Sequence, residues 1–455
     1  MLNDEMPIPG PLEATAPSPT YSDRICSAEE TLSRVIPFLR RYGITRVSRL
    51  TGLDTIGVPV WSAVSPNARS IVIHHGKGVT DTDARVSATM EALERAVAGN
   101  PPMDTIIATR ASLHAEGYAV NCLDGLIARG QTDITDEETI AWVRGTDVLS
   151  TVDTWVPYEA VVLDRTPDVV RFWQSSDGLA SGNTLLEASF HGLLERIERD
   201  AEILWNIAGE EQRLETCCDP FSLEDPIIDD LVDRIDGAGL TLRLFDITSD
   251  IGVACFAAFL GPAPIATRSL SRFIDVTKGS GAHPDPVRAA IRAITEAIQS
   301  RLTYISGARD DIYPQTFDRP LPREIIGYFD AKPRPVPLQN TTGSVALAGL
   351  YDTVLGHLRN RSIGSVIVVP LTPPDLPFSV TKVLVPDLEN PQGTRKRRFG
   401  PRGISKALFT LLSLSLSAPR FRMQQAWFRP ASKFAVRPFI GISSPRSMRV
   451  QRSSD

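Results

Sequence analysis

Three acidic stripes mark this 455-residue chain. Glu187, His191, Glu195 and Glu198 step by four, four and three, which sets all of them along one face of a helix. Ser87, Glu91 and Glu94 repeat the pattern upstream, and Glu296 and Gln299, just before Arg301, repeat it downstream. Each stripe follows a glycine-bearing segment: Gly76-Lys77-Gly78, Gly178-Leu-Ala-Ser-Gly182 and Lys278-Gly279-Ser280-Gly281. Like charges one helical turn apart repel unless water, hydrogen bonds or cations compensate them. Carboxylates brought from three helices to one cavity would hold hard divalent cations, and through them a polyphosphate. The glycine segments, read as turns at helix N-termini, would offer backbone N–H groups to phosphate oxygens. GxxxxGK[ST] and a strand-borne GxGxxG are both absent, so no P-loop or dinucleotide fingerprint supports this reading. The plainer reading is a set of solvated faces. Arg85, Arg95, Arg196 and Arg199 would then pair with the acids, and Glu187 would close a capping box with Thr184. Two stripes of matching spacing, each behind a glycine segment, favour the functional reading.

The elements that must carry these residues follow from periodicity. Asp81–Ala98 reads as a helix capped by Thr80, Thr184–Ile207 as a long one, and Pro286 opens a third that runs to about Ile305. Further helices are expected at Ala28–Arg41, near Ala111–Gly117, at Pro226–Ala238 and at Val345–Arg359. Strands are expected at Val58–Val64, Ser70–His74, Thr139–Val143, Trp155–Val162, Leu240–Ile247, Val253–Leu260, Ser365–Pro370 and Thr381–Pro386. Alternating strands and helices, with a hairpin over 240–260, predict an α/β, mixed α+β fold.

Composition is that of an ordinary globular protein, with 42% hydrophobic and 22% charged residues. Five cysteines form no CxxC or His/Cys pattern, which argues against a zinc site and for a reducing cytoplasm. The vicinal Cys217-Cys218 is read as packing rather than redox chemistry. No run approaches the roughly 18 apolar residues of a membrane span, so no membrane partner is expected. The formal charge of −6 hides an asymmetry: residues 391–455 carry 14 Lys plus Arg against one acid, Asp455. The expected organisation is a Pro-rich flexible arm over 1–27, a catalytic domain over 28–390, and a basic, disordered extension over 391–455. Arg395-Lys396-Arg397-Arg398 could meet RNA, anionic lipid or the protein's own acidic surface. A nucleic-acid partner is not expected.

Longer matches then identify a family. The segments Thr51-Gly-Leu-Asp-Thr-Ile-Gly-Val-Pro-Val60, His75-Gly-Lys-Gly78, Ala84–Arg95, Asp177–Glu187, His191–Asp200, Gly279–Asp285 and Thr295–Arg301 resemble, in order, the YcaO family of ATP-dependent enzymes that modify backbone amides. The resemblance covers about residues 42–390. It implies a YcaO-type fold with an ATP cleft, and ATP and Mg²⁺ as cofactors. It implies ATP contacts at Arg46, Lys77, Ser87, Glu91, Asn183, Glu296, Gln299 and Arg301. Metal ligands are implied at Glu91, Glu94, Glu187, Glu195 and Glu198. No catalytic protein nucleophile is implied.

The text around Thr295–Asp311 and Val383-Leu-Val-Pro-Asp-Leu-Glu389 is similar to members that form thioamides with a TfuA-type partner. The chain lacks the terminal PxPxP of many azoline-forming members. Such relatives usually end soon after a motif like Phe399-Gly-Pro-Arg402. The resemblance therefore implies a peptide or protein substrate and a TfuA-type partner, and the chain could also pair as a homodimer. A cyclodehydratase making thiazoline or oxazoline, and a non-catalytic nucleotide-binding accessory protein, are the competing expectations.

Overall fold

Ser27 caps the first helix, α1 (Ala28–Val35), with a full capping box to Glu30, and Pro37 explains why that helix stops short of Arg41. The chain tightens there into a 3₁₀ turn over Ile36–Phe38. The computed structural model describes residues 23–128, 130–172, 174–263, 271–336, 346–390 and 399–417. Most of the Pro-rich arm, the Arg395–Arg398 cluster and the basic tail beyond 417 lie outside the described residues. The described residues up to Leu412 form one body. Among the described residues no helix is long and apolar enough to cross a membrane.

Three sheets organise the described chain, and the fold is mixed α+β. The first joins β1 (Arg46–Arg49), β2 (Val60–Val64) and β3 (Ile73–Lys77) in an antiparallel meander, and α2 (Asp81–Gly99) packs on it. The second contains β4 (Ile106–Thr109), β5 (Ala119–Val120), β6 (Thr139–Asp147), β7 (Val152–Pro157) and β8 (Leu179–Gly182). The short helix α3 (Arg110–Ala115) follows β4. Two late strands, β13 (Ile367–Pro370) and β14 (Ser379–Leu384), complete this sheet and bring β14 beside β8. The third sheet runs β12-β11-β10-β9, from Thr277–His283, Ala254–Pro262, Leu240–Asp246 and Cys217–Cys218. Among the described strands only β5 and β7 pair in parallel.

The long helices α4 (Leu185–Ile207) and α7 (Pro286–Ser306) bury apolar faces against the third sheet. Phe190, Leu193, Leu194, Ile197 and Ala201 of α4 reach the core with Phe245, Cys255 and Ala257. The remaining helices are α5 (Glu210–Glu215), α6 (Pro226–Gly237), α8 (Gln315–Asp318), α9 (Arg323–Asp330), α10 (Leu347–Asn360) and α11 (Pro401–Ser417). Within the extension expected to be disordered, residues 401–417 are therefore helical.

Cys217 and Cys218 are buried in β9, where burial pushes their thiols up to about 11 and about 12. All five cysteines are free, and the vicinal pair is packing.

Candidate functional site

Three strand-to-helix units build the site: β3 into α2, β8 into α4 and β12 into α7. Thr80, Thr184 and Asp285 cap the three helices with side-chain oxygens on first-turn N–H groups. The glycines ahead of them correct the sequence expectation. Gly76 and Gly279 lie inside β3 and β12 rather than in phosphate-facing turns. A Cβ on Gly76 would overlap the α2 backbone at Ala84 and Ala88, and one on Gly279 the α7 backbone at Ala293 and Ala297. Their role is close strand–helix packing, which draws each helix face toward the centre.

Alternation along β3 then sorts its side chains. Gly76 faces α2, while His75 and Lys77 face α7. His75 Nδ1 lies 3.0 Å from the Thr303 hydroxyl, and Lys77 pairs with Glu296. Glu296 also accepts the Ser280 N–H at 3.5 Å. On α7, Arg292, Glu296 and Gln299 share one face, and Arg292 reaches His191 of α4 at 3.4 Å.

The stripe of α4 is the centre. At its N-terminus Glu187 is fully buried and accepts Arg24 Nη1 at 2.6 Å, the Ile25 N–H at 3.2 Å and the Asn183 amide at 3.2 Å. Thr184 still caps the Glu187 N–H, but the carboxylate has turned from the cap to Arg24, so the expected capping box is half made. Arg24 Nη1 also donates to Ser181 O, and the Ser181 hydroxyl donates to Glu94 of α2 at 3.2 Å. Two turns on, Glu195 accepts the Gly178 N–H at 3.1 Å. Arg199 lies 3.4–3.5 Å from Asp177, Glu195, Glu198 and Glu202. Glu202 takes Lys278 of β12 at 2.6 Å. Beneath this, Lys382 of β14 donates to Ser175 O and Asp177 O at 2.7 and 2.8 Å, pinning the loop that presents Gly178.

The charges are poised rather than balanced. Burial raises the Glu94 carboxyl well above its ordinary range, and Glu91 and Glu195 push it further. Glu198 is pushed up to about 7 by burial, then by Glu296 and Glu195. Glu91 goes the other way: burial raises it, but Arg95, His74 and Arg309 more than offset that. For Glu202, burial is overcome by Lys278 and Arg199, which bring it down to about 2. Carboxyls from α2, α4 and α7 thus feel one another, Glu94 through Glu195 and Glu198 through Glu296.

Among the described residues no three Asp, Glu, His or Cys side chains close into a ready-made metal cage. Mg²⁺ usually takes one or two carboxylates, waters and phosphate oxygens, so an acid-rich cleft edged with Lys and Arg is the donor set it needs. Half-buried Glu94 and buried Glu198, each beside other acids, are the groups a cation would relieve.

Most sequence-derived site residues come together: Lys77, Glu91, Glu94, Asn183, Glu187, Glu195, Glu198 and Glu296, with Ser87 and Gln299 one turn along the same helix faces. Two do not. Arg46 is exposed on the edge strand β1, roughly 16 Å from Lys77 by strand spacings. The cation near the start of the chain that reaches the acids is Arg24. Arg301 turns away to Asp54 at 3.4 Å and lines a cavity of about 280 Å³ with Arg272 and Tyr304. The bound segment Asp23–Ile25 also shows that the Pro-rich arm is not loose to its end: Asp23 pairs with His283 at 2.7 Å and with Arg288. Sequence reasoning missed Glu202, which continues the α4 stripe by one more turn, and Lys382, a lone lysine in an apolar strand. It also missed Arg292, which lies four residues before Glu296 on the α7 stripe, whereas Arg24 and Asp177 carried no periodic signal.

A family model described as YcaO cyclodehydratase, ATP- and Mg²⁺-binding, matches residues 75–389. The chain belongs to the YcaO family. ATP and Mg²⁺ are therefore the cofactors of the family it joins. A protein of Rhizobium leguminosarum bv. trifolii from the region 3′ of tfuA is 41% identical over 378 residues, covering 81% of this chain and 89% of its own. A protein of Methanothermobacter thermautotrophicus is 34% identical over 372 residues, covering 79% and 93%. The YcaO structure from Methanopyrus kandleri bound with AMPPCP and Mg²⁺ aligns with TM-score 0.64 at 21% identity, over 83% of this chain and 96% of that one. The Escherichia coli microcin synthetase McbBCD complex contains a chain with TM-score 0.55 at 15% identity, covering 79% and 95%. These two structural matches concern the fold.

Proposed function

We propose that this YcaO-family chain activates a peptide backbone amide with ATP and installs a thioamide together with a TfuA-type partner. The observation that carries the activation chemistry is the linkage of carboxylates from three helices with Arg24, Lys77, Arg199, Arg292 and Lys278. The 41% identical relative from a tfuA region supports the thioamide outcome over azoline formation.

In this reading an external sulfide adds to the amide carbon, and the resulting oxyanion takes the γ-phosphoryl group of ATP, releasing ADP. The carbon–oxygen bond then breaks, phosphate leaves with the sulfhydryl proton, and C=S remains. Such a transfer depends on positioning and charge neutralisation rather than on a protein nucleophile. Glu91, Glu94, Glu187, Glu195 and Glu198 would hold Mg²⁺. That ion supplies Lewis-acid neutralisation of phosphate oxygens. Arg24 and Lys77 steer the phosphates, and Asn183 helps orient Glu187. A cytoplasmic setting, with ATP at hand, accords with five free cysteines.

The test is ATP turnover by the purified chain with a TfuA-type protein, sulfide and candidate peptide, read beside peptide mass. Exchange of oxygen for sulfur is the expected product, and loss of water would instead indicate a cyclodehydratase. No turnover with all components present, or turnover unchanged by Glu91→Gln, would overturn the catalytic reading in favour of an accessory one.

A further inference from the structure

The motif Phe399-Gly-Pro-Arg402 lies outside the acidic cleft, yet it is bound tightly to the helix that carries the cleft's main stripe. Asp200 sits on the reverse face of α4 between Glu198 and Glu202, and it is fully buried. Its Oδ1 accepts Arg402 Nε at 2.9 Å and its Oδ2 accepts Arg402 Nη2 at 2.9 Å, a two-pronged guanidinium–carboxylate pair. Arg402 Nη2 also reaches Asp250, in the turn between β10 and β11, at 2.5 Å. The guanidinium therefore ties α4 to the third sheet.

Glu389 makes the other half of the contact. Its carboxylate accepts the Gly400 N–H at 2.9 Å and the Gly403 N–H at 2.8 Å, while its own N–H donates to Asp200 at 2.9 Å. A Cβ on Gly400 would stand 2.7 Å from Glu389 Oε1, so a larger residue there would displace the end of the Glu389 side chain. The carbonyl of Glu389 accepts Arg196 Nη2 at 2.9 Å. The Arg196 stem in turn packs over Gly178, whose N–H holds Glu195. A continuous path of contacts thus runs from Arg402 to the carboxylates of the cleft.

We propose that Arg402 is a positioning residue, and that Gly400–Gly403 is a clasp that closes over the back of α4 and sets its acidic face for metal–nucleotide binding. The inference rests on the proposed ATP- and Mg²⁺-dependent function of the cleft. Arg402 touches neither ligand. It acts by keeping Asp200 neutralised and by holding Glu389 under Arg196. A guanidinium suits this role because two parallel hydrogen bonds fix direction as well as charge, which an ammonium cannot do.

The experiment uses the full chain and titrates Mg²⁺ with a non-hydrolysable ATP analogue by calorimetry, well below each variant's melting temperature. Wild type is expected to bind. Arg402→Ala and Arg402→Lys are both expected to fold and to bind at least tenfold more weakly, with KM for ATP rising more than kcat falls where turnover is measurable. Asp250→Asn, which loosens the clasp's outer anchor alone, is expected to weaken binding by a smaller factor. Should Arg402→Ala fail to fold, the lysine variant decides, because it keeps the buried charge and loses only the fork. Folded Arg402→Lys with affinity within twofold of wild type would overturn the proposal and leave the clasp a purely structural brace. Wild type that fails to bind the analogue would instead overturn the function on which the proposal rests.

Discussion

Replacing Glu198 by Gln should make the ligand-free protein more stable at alkaline pH and less able to bind metal and nucleotide. The carboxyl stands near 7, against about 4.5 for an ordinary glutamate, first because it is buried and then because Glu296 and Glu195 crowd it. A carboxyl raised on folding binds its proton more tightly in the folded chain than in the unfolded one. Its contribution to stability is therefore fully present below about pH 4.5 and is lost as pH rises through about 7. Moving from 4.5 to about 7 is worth at most about 3–4 kcal/mol, at roughly 1.4 kcal/mol per tenfold change in proton affinity. Glutamine mimics the protonated form and carries no such pH-dependent loss. Sharing of the proton with Glu195 and Glu296 brings the expected gain to about 1–3 kcal/mol.

Urea unfolding in the presence of a chelator, at about pH 5 and about pH 8, reads this directly. The variant should match wild type near the lower pH and exceed it near the higher one. With Mg²⁺ and nucleotide at about a hundred times their dissociation constant, wild type gains about 2.7 kcal/mol by mass action, and the variant gains much less. A stability difference that does not change with pH, or a variant weaker than wild type at pH 8 without ligand, would refute the view that Glu198 is held in an electrostatically uncomfortable place.

Arg24→Ala should weaken nucleotide binding by tenfold or more and cost about 2–3 kcal/mol by leaving buried Glu187 short of its cation, whereas Arg46→Ala should change affinity by less than twofold; paired calorimetry and melting curves check both. Gly279→Ala should destabilise the fold by about 1–3 kcal/mol or more, read by thermal melting, since its methyl group would push into the α7 backbone. In the native protein a thiol reagent should modify half-buried Cys26 first, with Cys122, Cys217, Cys218 and Cys255 reacting only on unfolding; burst-phase labelling of the vicinal pair would contradict their burial.

The sequence made the long helices legible because their signals are local. Thr80, Thr184 and Pro286 mark starts that the structure places at Asp81, Leu185 and Pro286, and the 240–260 hairpin forms with the expected antiparallel pairing. Errors fell where a long-range contact overrides local preference. The first strand ahead of a stripe was expected at Ser70–His74 but runs Ile73–Lys77, because Gly76 is a poor strand former that is needed there for helix contact. Trp155–Val162 ends as a strand at Pro157 and turns into a 3₁₀ segment, as the proline allows.

The site divides along the same line. A run of acids along a helix is written in the spacing of one segment, so Glu91, Glu94, Glu195 and Glu198 could be found from periodicity alone. The cations that answer them arrive from elsewhere: Arg24 meets Glu187 across 163 residues, and Lys77 meets Glu296 across 219. No spacing rule links such pairs, and surface arginines outnumber buried ones, so the expectation of a phosphate contact at Arg46 had nothing local to correct it. Yet acids that are buried require partners. A buried carboxylate without hydrogen bonds or an opposing charge is too costly to keep ionised, so stripes that the fold buries need cations, whereas stripes on a solvated face would not. What only the fold supplies is which ones.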